Sequence, residues 1–411
     1  MYIAILGRQP ALGIAELEKV FGGKAVTPLS AQAVRIDCDS FEVQRFGGVP
    51  KAGKIIIELP RSDWHQISQR IVQHYADKWS SFEGKITLGI STYDLNITAR
   101  EVQKPGIILK QKLKKAGVSV RLVPNTDPAL NSATSHHNKL GLSANKVELI
   151  IARANNGSIT VAESTGSQNI TAYARRDQER PRRDAFVGML PPKLAQIMIN
   201  LAIGQVANRS WNIEGGEIST ANSQIPNSNS KLTILDPFCG TGVILQEAVL
   251  MGYAAYGTDL SEKMVSYTHD NLNWLEDGYH TKFDYRLSAG DAMTMTWQQP
   301  IDVVVGETYL GQPFSAPPSP SKLNEVKDNC THIITEFLIN LRPQIKSGAP
   351  ICIAVPAWRD KDGGFTHLPL IATIARLGYK PHEFMNVSQN ELLYYREDQV
   401  VARELLVLTK I

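Results

Sequence analysis

The stretch that decides the fold reads Ile234-Leu235-Asp236-Pro237-Phe238-Cys239-Gly240-Thr241-Gly242. It is an apolar strand that ends in an acid and runs into a tight turn bounded by glycines. The residues from Val243 to Met251 then predict a helix, with Gly252 just past its end. This order directs the N–H groups of the turn and of the helix N-terminus outward beside Asp236. The stretch therefore predicts a binding turn for a cofactor that carries an amino acid, a ribose and a base.

Two other nucleotide-binding motifs share this strand, turn and helix. The dinucleotide fingerprint requires a third glycine where Leu245 stands. A phosphate-binding loop requires a Gly-Lys-Ser/Thr sequence after the turn, and none follows. The sequence therefore disfavours both alternatives.

Acids recur where the strands after this turn end. Asp259 ends the second strand, and Asp291 follows the third. Ligands of open parallel sheets lie beyond the carboxyl ends of the strands, so we expect Asp259 to bind ribose hydroxyls and Asp291 to accept a hydrogen bond from the adenine amino group. The alternative for Asp259 is a helix N-cap role beside Ser261.

The C-terminal part alternates strands with helices and ends in two strands without an intervening helix. This order predicts an α/β fold with a mainly parallel sheet and an antiparallel pair at its edge. Residues 1–78 and 79–168 predict two small α+β units in tandem, and 169–190 a charged connector without helical or strand period. Residues 191–411 form the predicted α/β domain, in which 212–231, rich in Gly, Ser, Asn and Thr, predict a flexible insertion.

Composition excludes several classes of protein. The chain has 411 residues, of which 43% are apolar and 20% charged, and no apolar run is long enough to span a bilayer. No signal peptide is evident at the N-terminus, so a cytoplasmic protein is expected. The four cysteines lie far apart and the neighbours His136 and His137 lack a third ligand, so neither a metal site nor a disulfide framework is predicted.

Positive charge is concentrated in one N-terminal segment. Between Thr98 and Arg121 one acid, Glu101, stands against seven basic residues, whereas the whole chain carries a net charge of +3. Such a segment is typical of a nucleic-acid surface or, alternatively, of a solvated helix face. The candidate RNA contacts are Arg100, Lys104, Lys110, Lys112, Lys114, Lys115 and Arg121, joined by Arg175 and Arg176 of the connector, which could equally pair with its acids.

The glycine turn resembles the first motif of S-adenosylmethionine-dependent methyltransferases that act on exocyclic amines of nucleic-acid bases. In such enzymes an Asp or Asn followed by Pro-Pro-Tyr or Pro-Pro-Phe ends the fourth strand and orients the acceptor amine. Here that strand ends in Glu307-Thr308-Tyr309-Leu310-Gly311, without the prolines. Glu307 could replace the acid, and Tyr309, one position earlier than the pattern places it, could supply the ring. The alternative is a non-catalytic pocket that still holds cofactor or RNA.

The whole chain resembles the THUMP-containing tRNA guanosine N2-methyltransferases of the archaeal and eukaryotic guanosine-10 type. Besides the glycine turn, the resemblance includes Arg180-Pro181-Arg182-Arg183-Asp184, Gly188-Met189-Leu190-Pro191-Pro192-Lys193-Leu194-Ala195, Leu393-Tyr394-Tyr395-Arg396 and Val401-Ala402-Arg403-Glu404. It implies a Rossmann-like class I methyltransferase domain with a seven-stranded sheet, preceded by a ferredoxin-like domain and a THUMP domain.

The resemblance also implies a reaction, in which a methyl group passes from S-adenosylmethionine to the N2 amine of a guanosine in tRNA. Implied cofactor contacts are Asp236, Gly240, Gly242, Asp259 and Asp291, with their neighbours Phe238, Thr241, Leu260 and Ala292. Glu307 and Tyr309 are the implied catalytic residues. The implied partner is tRNA, without a membrane, and related eukaryotic enzymes use a small activating protein subunit. Methylation of another RNA, of DNA or of protein remains an alternative, because those enzymes share the glycine turn.

Overall fold

The computed structural model of the chain describes residues 1–184, 189–204, 231–314 and 316–411. Gly188 and the predicted flexible insertion, apart from Lys231, lie outside the described residues. The chain divides into two units. Unit 1 comprises Met1–Ile14 and Phe21–Ala174, and unit 2 comprises Ala15–Val20 and Arg175–Ile411.

Unit 1 is built on one eight-stranded sheet with the strand order β2-β3-β1-β4-β8-β7-β5-β6. Its strands are β1 (Tyr2–Ile5), β2 (Val26–Pro28), β3 (Ala33–Ile36), β4 (Lys51–Leu59), β5 (Lys85–Tyr93), β6 (Ser119–Leu122), β7 (Lys146–Arg153) and β8 (Ile159–Ser167). The two α+β regions predicted in tandem share this sheet, because β4 of the first pairs antiparallel with β8 of the second. The strands β7 and β8 form a hairpin across Asn155-Asn156-Gly157.

The helices within residues 1–174 are α1 (Pro10–Phe21), α2 (Trp64–Lys78), α3 (Ala99–Lys115), α4 (Ser132–His137) and α5 (Ile170–Ala174). Ala15–Val20 of α1 belongs to unit 2. Capping boxes begin α2 at Asp63 and α3 at Thr98, where a side-chain oxygen accepts from a backbone N–H three residues on. Leu109 and Leu113 of α3 are buried in a core with residues of α2 and of the sheet. The lysines of α3 lie on its outer face, because the buried positions recur at the helical period.

Unit 2 is built on a second sheet, whose main path has the strand order β11-β10-β9-β12-β13-β17-β15. Its strands are β9 (Thr233–Asp236), β10 (Ala254–Asp259), β11 (Tyr285–Ala289), β12 (Val303–Glu307), β13 (Pro350–Arg359), β14 (Phe365–Thr366), β15 (Tyr379–Pro381), β16 (Leu393–Tyr394) and β17 (Val401–Lys410). Pairing is parallel from β11 to β13 and antiparallel where β17 meets β13 and β15. The predicted mainly parallel seven-stranded sheet with an antiparallel edge is confirmed.

The helices of unit 2 are α6 (Pro192–Ile203), α7 (Val243–Leu250), α8 (Glu262–Tyr279) and α9 (Pro320–Leu341). Every residue of α6 except Lys193 is buried. A core formed by α9 and the sheet includes Phe337, Leu338 and Trp358. Because β9, β10 and β12 are neighbouring parallel strands, their carboxyl ends meet at one edge of the sheet, which carries the candidate site.

The charged connector differs from the irregular segment that its sequence predicts. After α5, residues Arg175–Glu179 form one turn of π-helix, and the segment beyond it is held to α8. Arg182 donates its backbone N–H to Asn271 and pairs with Asp270, with 2.7 Å between Nε and Oδ2. The sequence of the connector does not predict this structure, because the residues that bind it lie on a helix distant in sequence. None of the helices in the described ranges is long and apolar enough to cross a membrane.

Candidate active site

The glycine turn after β9 is shaped by two residues in the left-handed region of the backbone. Gly240 has φ 51° and Gly242 has φ 83°, values that L side chains rarely adopt. A Cβ on Gly242 would lie 2.7 Å from Cγ2 of Thr268, so the turn also requires glycine there for space. A Cβ on Gly240 would instead lie 4.0 Å from its nearest neighbour, the carbonyl oxygen of Phe238, so the space above the backbone is open at that position. The turn therefore leaves an approach for a ligand at Gly240.

Asp259, at the end of β10, braces the turn. Its Oδ2 accepts from the backbone N–H of Gly240 at 2.9 Å, and its Oδ1 accepts from the N–H of Ser261 at 2.9 Å. Asp259 is not the N-cap of α8, because that position is Ser261 and Asp259 accepts only the N–H of Ser261 itself. The contact with Gly240 joins the ends of two strands. Leu260 beside it is 75% exposed. The structure thus places Asp259 and Leu260 next to the glycine turn, as the predicted cofactor contacts require.

Asp236 lies beneath this turn rather than on its surface. It is 2% exposed and accepts from the N–H of Phe238 at 3.1 Å. Burial, and to a smaller extent the nearby charges of Asp259 and Glu307, raise the pKa of Asp236 well above its usual range. The three carboxyl groups are therefore close enough to interact, although they belong to three strands.

The remaining predicted cofactor residues lie around the same edge. Asp291 follows β11 and accepts from the N–H of Met293 at 2.9 Å. Its neighbour Ala292 is buried in the core. The ring of Phe238 is half-buried and packs edge-on against Phe337, with 5.0 Å between the ring centroids. Thr241 is buried within the turn.

Glu307 ends β12, directly beside the glycine turn, because β12 pairs with β9. Its carboxylate accepts a hydrogen bond from Nε of Arg403 on β17. Both side chains are largely buried, at 16% and 9% exposed. Tyr309 is 43% exposed and Thr308 is buried. The two predicted catalytic residues therefore lie at the strand end, with Glu307 held and Tyr309 open to solvent.

The sequence relatives of this chain share one name. The tRNA (guanine(10)-N2)-dimethyltransferase of Methanothermobacter thermautotrophicus is 28% identical over 186 residues, which cover 45% of this chain and 44% of the relative. The protein of that name from Pyrococcus abyssi is 34% identical over 127 residues, covering 31% of this chain and 26% of the relative. The matched regions thus span less than half the length of these relatives. No family model matches the chain.

Among solved structures, TrmN from Thermus thermophilus superposes with a TM-score of 0.50 at 16% identity, covering 100% of this chain and 99% of that one. At this identity the match concerns the fold. The chain resembles the tRNA (guanine(10)-N2)-dimethyltransferases. This confirms the predicted resemblance. The sheet order and the structural match together confirm the predicted Rossmann-like α/β class.

Two residues on α8 support the turn and are absent from the sequence-based prediction. The hydroxyl of Thr268 donates to the carbonyl of Gly240 at 2.8 Å, and the amide of Asn271 donates to the carbonyl of Thr241 at 2.8 Å. Both are buried on the apolar face of α8. Polar residues within an otherwise apolar helical stripe are the signal that could have identified them.

Arg403 is a further residue that sequence reasoning missed. It lies 96 positions after Glu307, on a strand that inserts between β13 and β15. The signal in the sequence is indirect, because Arg403 and Glu404 form a charged pair between apolar residues of the strand.

The predicted RNA contacts on α3 and β6 are all exposed. Lys110, Lys114 and Arg121 line a surface cavity of about 620 Å³ in unit 1, together with Lys85, which the sequence-based prediction omitted. The other exposed members are Arg100, Lys104, Lys112 and Lys115. Unit 1 therefore presents a cationic surface.

The two connector arginines differ from each other. Arg175 is exposed, with its guanidinium 5.6 Å from the ring centroid of Trp274. Arg176 is 7% exposed and makes two hydrogen bonds to Glu247 on α7, at 2.6 and 3.2 Å. Its guanidinium is thus not available for a phosphate contact, which corrects the expectation for Arg176. Glu247 is thus a partner of Arg176, whereas Arg175 pairs with Glu179 of the connector, with 3.9 Å between Nε and Oε2, as the alternative for these arginines expects.

Proposed function

We propose that the protein transfers a methyl group from S-adenosylmethionine to the exocyclic N2 amine of a guanosine in tRNA, at guanosine-10. The observation that carries this proposal is the pairing of β9 with β12, which brings the glycine turn and the carboxylate of Glu307 together. The names of the sequence relatives supply the substrate class. The cofactor supplies an electrophilic methyl group on its sulfonium.

The residues at the turn fit this cofactor. Gly240 has no side chain, and the space where a Cβ would lie is open, so a ligand can approach its main chain. Asp259 is only half-buried, and its carboxylate has lone pairs beyond the two that it uses for backbone N–H groups, so it can accept from ribose hydroxyls. The exposed Leu260 offers an apolar surface for the adenine, and Asp291 an acceptor for the adenine amine.

Glu307 would supply the acceptor chemistry. The N2 amine of guanine is a weak nucleophile, because its lone pair is delocalised into the ring. A carboxylate that accepts one N–H bond orients the amine and stabilises the positive charge that develops on its nitrogen as the new C–N bond forms. The amine loses one proton in the reaction, and we propose Glu307 as the group that receives it. Tyr309 presents an exposed ring on which the base can stack.

The cationic surface of unit 1 would hold the RNA. Four cations line one cavity, and exposed lysines continue along α3. Phosphates of the RNA backbone bind such a surface by releasing counterions. We therefore propose tRNA as the macromolecular partner and assign THUMP-type RNA binding to residues 79–168.

The decisive experiment incubates the purified chain with methyl-labelled cofactor and an unmodified tRNA transcript. We expect label in the tRNA, and mass spectrometry of the nucleosides should give N2-methylated guanosine and count its methyl groups. A matched transcript with adenosine at position 10 should stay unlabelled. Label in that transcript would refute the position. Cofactor binding without label in any tRNA would refute transfer to tRNA and favour a non-catalytic cofactor module or another acceptor. Activity without added protein would show that no activating subunit is needed.

A separate experiment tests the RNA surface. Replacing Lys110 and Lys114 with Ala should weaken tRNA binding and reduce the salt slope of the affinity by roughly 1.4 to 1.8, since each phosphate contact contributes about 0.7 to 0.9. The matched control replaces Lys24 and Lys54, exposed lysines outside α3, and should leave the slope unchanged. An equal salt slope for the α3 variant and the control variant would show that the cavity is not part of the RNA interface.

A further inference from the structure

The acceptor segment of this chain lacks the prolines that stiffen the corresponding segment in amine methyltransferases. With Glu307 at the position of the acid, Thr308 and Tyr309 occupy the two proline positions. A proline fixes φ and has no N–H to donate. A carboxylate that must orient a weak nucleophile needs a fixed position, so the stiffness has to come from elsewhere in this chain.

Thr308 fixes the backbone of this segment by bonds that proline could not make. Its N–H donates to the carbonyl of Ala354 on β13 at 3.0 Å, and its hydroxyl donates to the same carbonyl at 2.9 Å. The side chain is 2% exposed. The pairing of β12 with β13 is thereby extended one residue past Glu307.

Arg403 fixes the side chain of the acid. It lies on β17, where it pairs with Pro356 of β13, so its backbone is anchored within the sheet. Its Nε donates to Oε1 of Glu307. In the described part of the chain Oε2 of Glu307 has no hydrogen-bond partner. One oxygen of the carboxylate is thus held while the other is left for a ligand.

Arg403 also supplies a positive charge where carboxyl groups accumulate. Asp236, Asp259 and Glu307 end the strands β9, β10 and β12, which are neighbours in the sheet. The guanidinium of Arg403 therefore places a positive charge beside the carboxyl group of Glu307.

We infer that Arg403 and Thr308 are positioning residues that together replace the missing prolines: Arg403 holds the Glu307 carboxylate, and Thr308 holds the backbone beneath it. The inference rests on the proposed function. It concerns the transfer step and not the binding of cofactor, because among the described residues neither Thr308 nor Arg403 makes a hydrogen bond or ion pair to the glycine turn. Glu307 remains the residue that would touch the acceptor.

The test compares Arg403→Ala, Arg403→Lys and Thr308→Val by kcat, by KM for tRNA and by Kd for the cofactor. Arg403→Ala should lower kcat by about 100-fold, the effect of a misplacement of roughly 1 Å at a reacting group, with an unchanged Kd for the cofactor. Arg403→Lys should restore part of the rate, and millimolar guanidinium should rescue Arg403→Ala. Thr308→Val keeps the side-chain volume and should also lower kcat alone. The control Arg376→Ala removes an exposed arginine of the same unit and should change none of the three constants.

The outcomes separate this inference from the proposed function. If the wild-type chain transfers no methyl group, the proposed function fails before the variants are compared. If the wild type is active and Arg403→Ala retains full kcat, the inference is overturned. It is also overturned if Arg403→Ala loses cofactor affinity as steeply as rate, or if neither lysine nor guanidinium restores activity, because a general structural role would then explain the loss.

Discussion

The ends of β9 and β12 lie side by side in one sheet and are built in different ways. At the end of β9, the glycine turn is shaped by its own backbone, with two left-handed glycines and a carboxylate that accepts main-chain N–H groups. At the end of β12, Glu307 is held by a side chain that arrives from β17, 96 positions later in the sequence.

The difference indicates that the end of β12 can vary in sequence more than the glycine turn after β9. The glycine turn depends on positive φ angles at Gly240 and Gly242 and on the lack of space for a Cβ at Gly242, so few residue types fit. The acceptor end depends on a pair of side chains, and different pairs can place a carboxylate equally well. This explains why the turn follows the pattern of amine methyltransferases while the residues after Glu307 depart from it.

The largest expected effect tests whether the turn is independent of distant side chains. Glu247 lies on α7, which begins at the turn, and it is fully buried against Arg176. Arg176→Met should lower the free energy of unfolding of unit 2 by about 3–5 kcal/mol, because it leaves a buried carboxylate without its partner. Urea denaturation measures this loss. A loss below about 1 kcal/mol, the range of exposed ion pairs, would contradict it.

The pH dependence of that variant has a definite sign. Burial raises the pKa of Glu247 above its unfolded value of about 4.3. A carboxyl group with a raised folded-state pKa stabilises the fold below the unfolded pKa, and this stability is lost as pH rises through the folded pKa. The deficit of Arg176→Met relative to wild type should therefore shrink as pH falls from 8 towards 5. The control Arg176→Met/Glu247→Gln should show a smaller deficit at pH 8, and this deficit should not shrink as pH falls, because Gln does not titrate.

The next effect concerns the backbone of the turn itself. Gly242→Ala should destabilise unit 2 by about 2–4 kcal/mol, from left-handed strain of about 1–2 kcal/mol and overlap with Thr268. Gly252→Ala is the matched control, because Gly252 has the same φ of 83° and open space around its Cβ. Equal losses for the two variants would show that strain alone decides, without a steric requirement at Gly242.

A smaller effect separates cofactor binding from stability. Asp259→Ala removes the acceptor for the N–H of Gly240 and the proposed ribose contact, so Kd for the cofactor should rise by about 10- to 100-fold, since hydrogen bonds to charged groups contribute about 1.5–3 kcal/mol. Titration calorimetry measures this. Asp270→Ala, which removes an acid on the exposed side of α8, should leave Kd unchanged. An unaltered Kd for Asp259→Ala would exclude Asp259 from the cofactor site.

The smallest effect on stability belongs to the acceptor end. Tyr309 is 43% exposed, so Tyr309→Ala should change the free energy of unfolding by no more than about 0.5 kcal/mol. If the ring stacks on the base, Tyr309→Ala should raise KM for tRNA about tenfold, which lies within the 1–3 kcal/mol of a base–aromatic contact. Tyr309→Phe keeps the ring and should leave KM unchanged. A large loss of stability in Tyr309→Ala would contradict the view that the end of β12 tolerates substitution of Tyr309.

The sequence determined the elements that rest on local chemistry. Glycines flanking an apolar strand and helix gave the cofactor turn, and strands separated by helices gave the parallel sheet. Asp259 could be placed beside the turn before the structure was known, because chain order fixes which strand ends are neighbours. The exposure of the lysines on α3 followed from helical period.

Tertiary structure alone decided which charged groups meet. Arg176 reads in the sequence as one of several connector arginines, yet it is buried against Glu247, 71 positions away. Arg403 carries no local signal of its contact with Glu307, because that contact exists only once β17 pairs beside β13. The physical reason is one of range: backbone conformation and helical period are set by near neighbours in the chain, whereas ion pairs depend on how strands are ordered across a sheet.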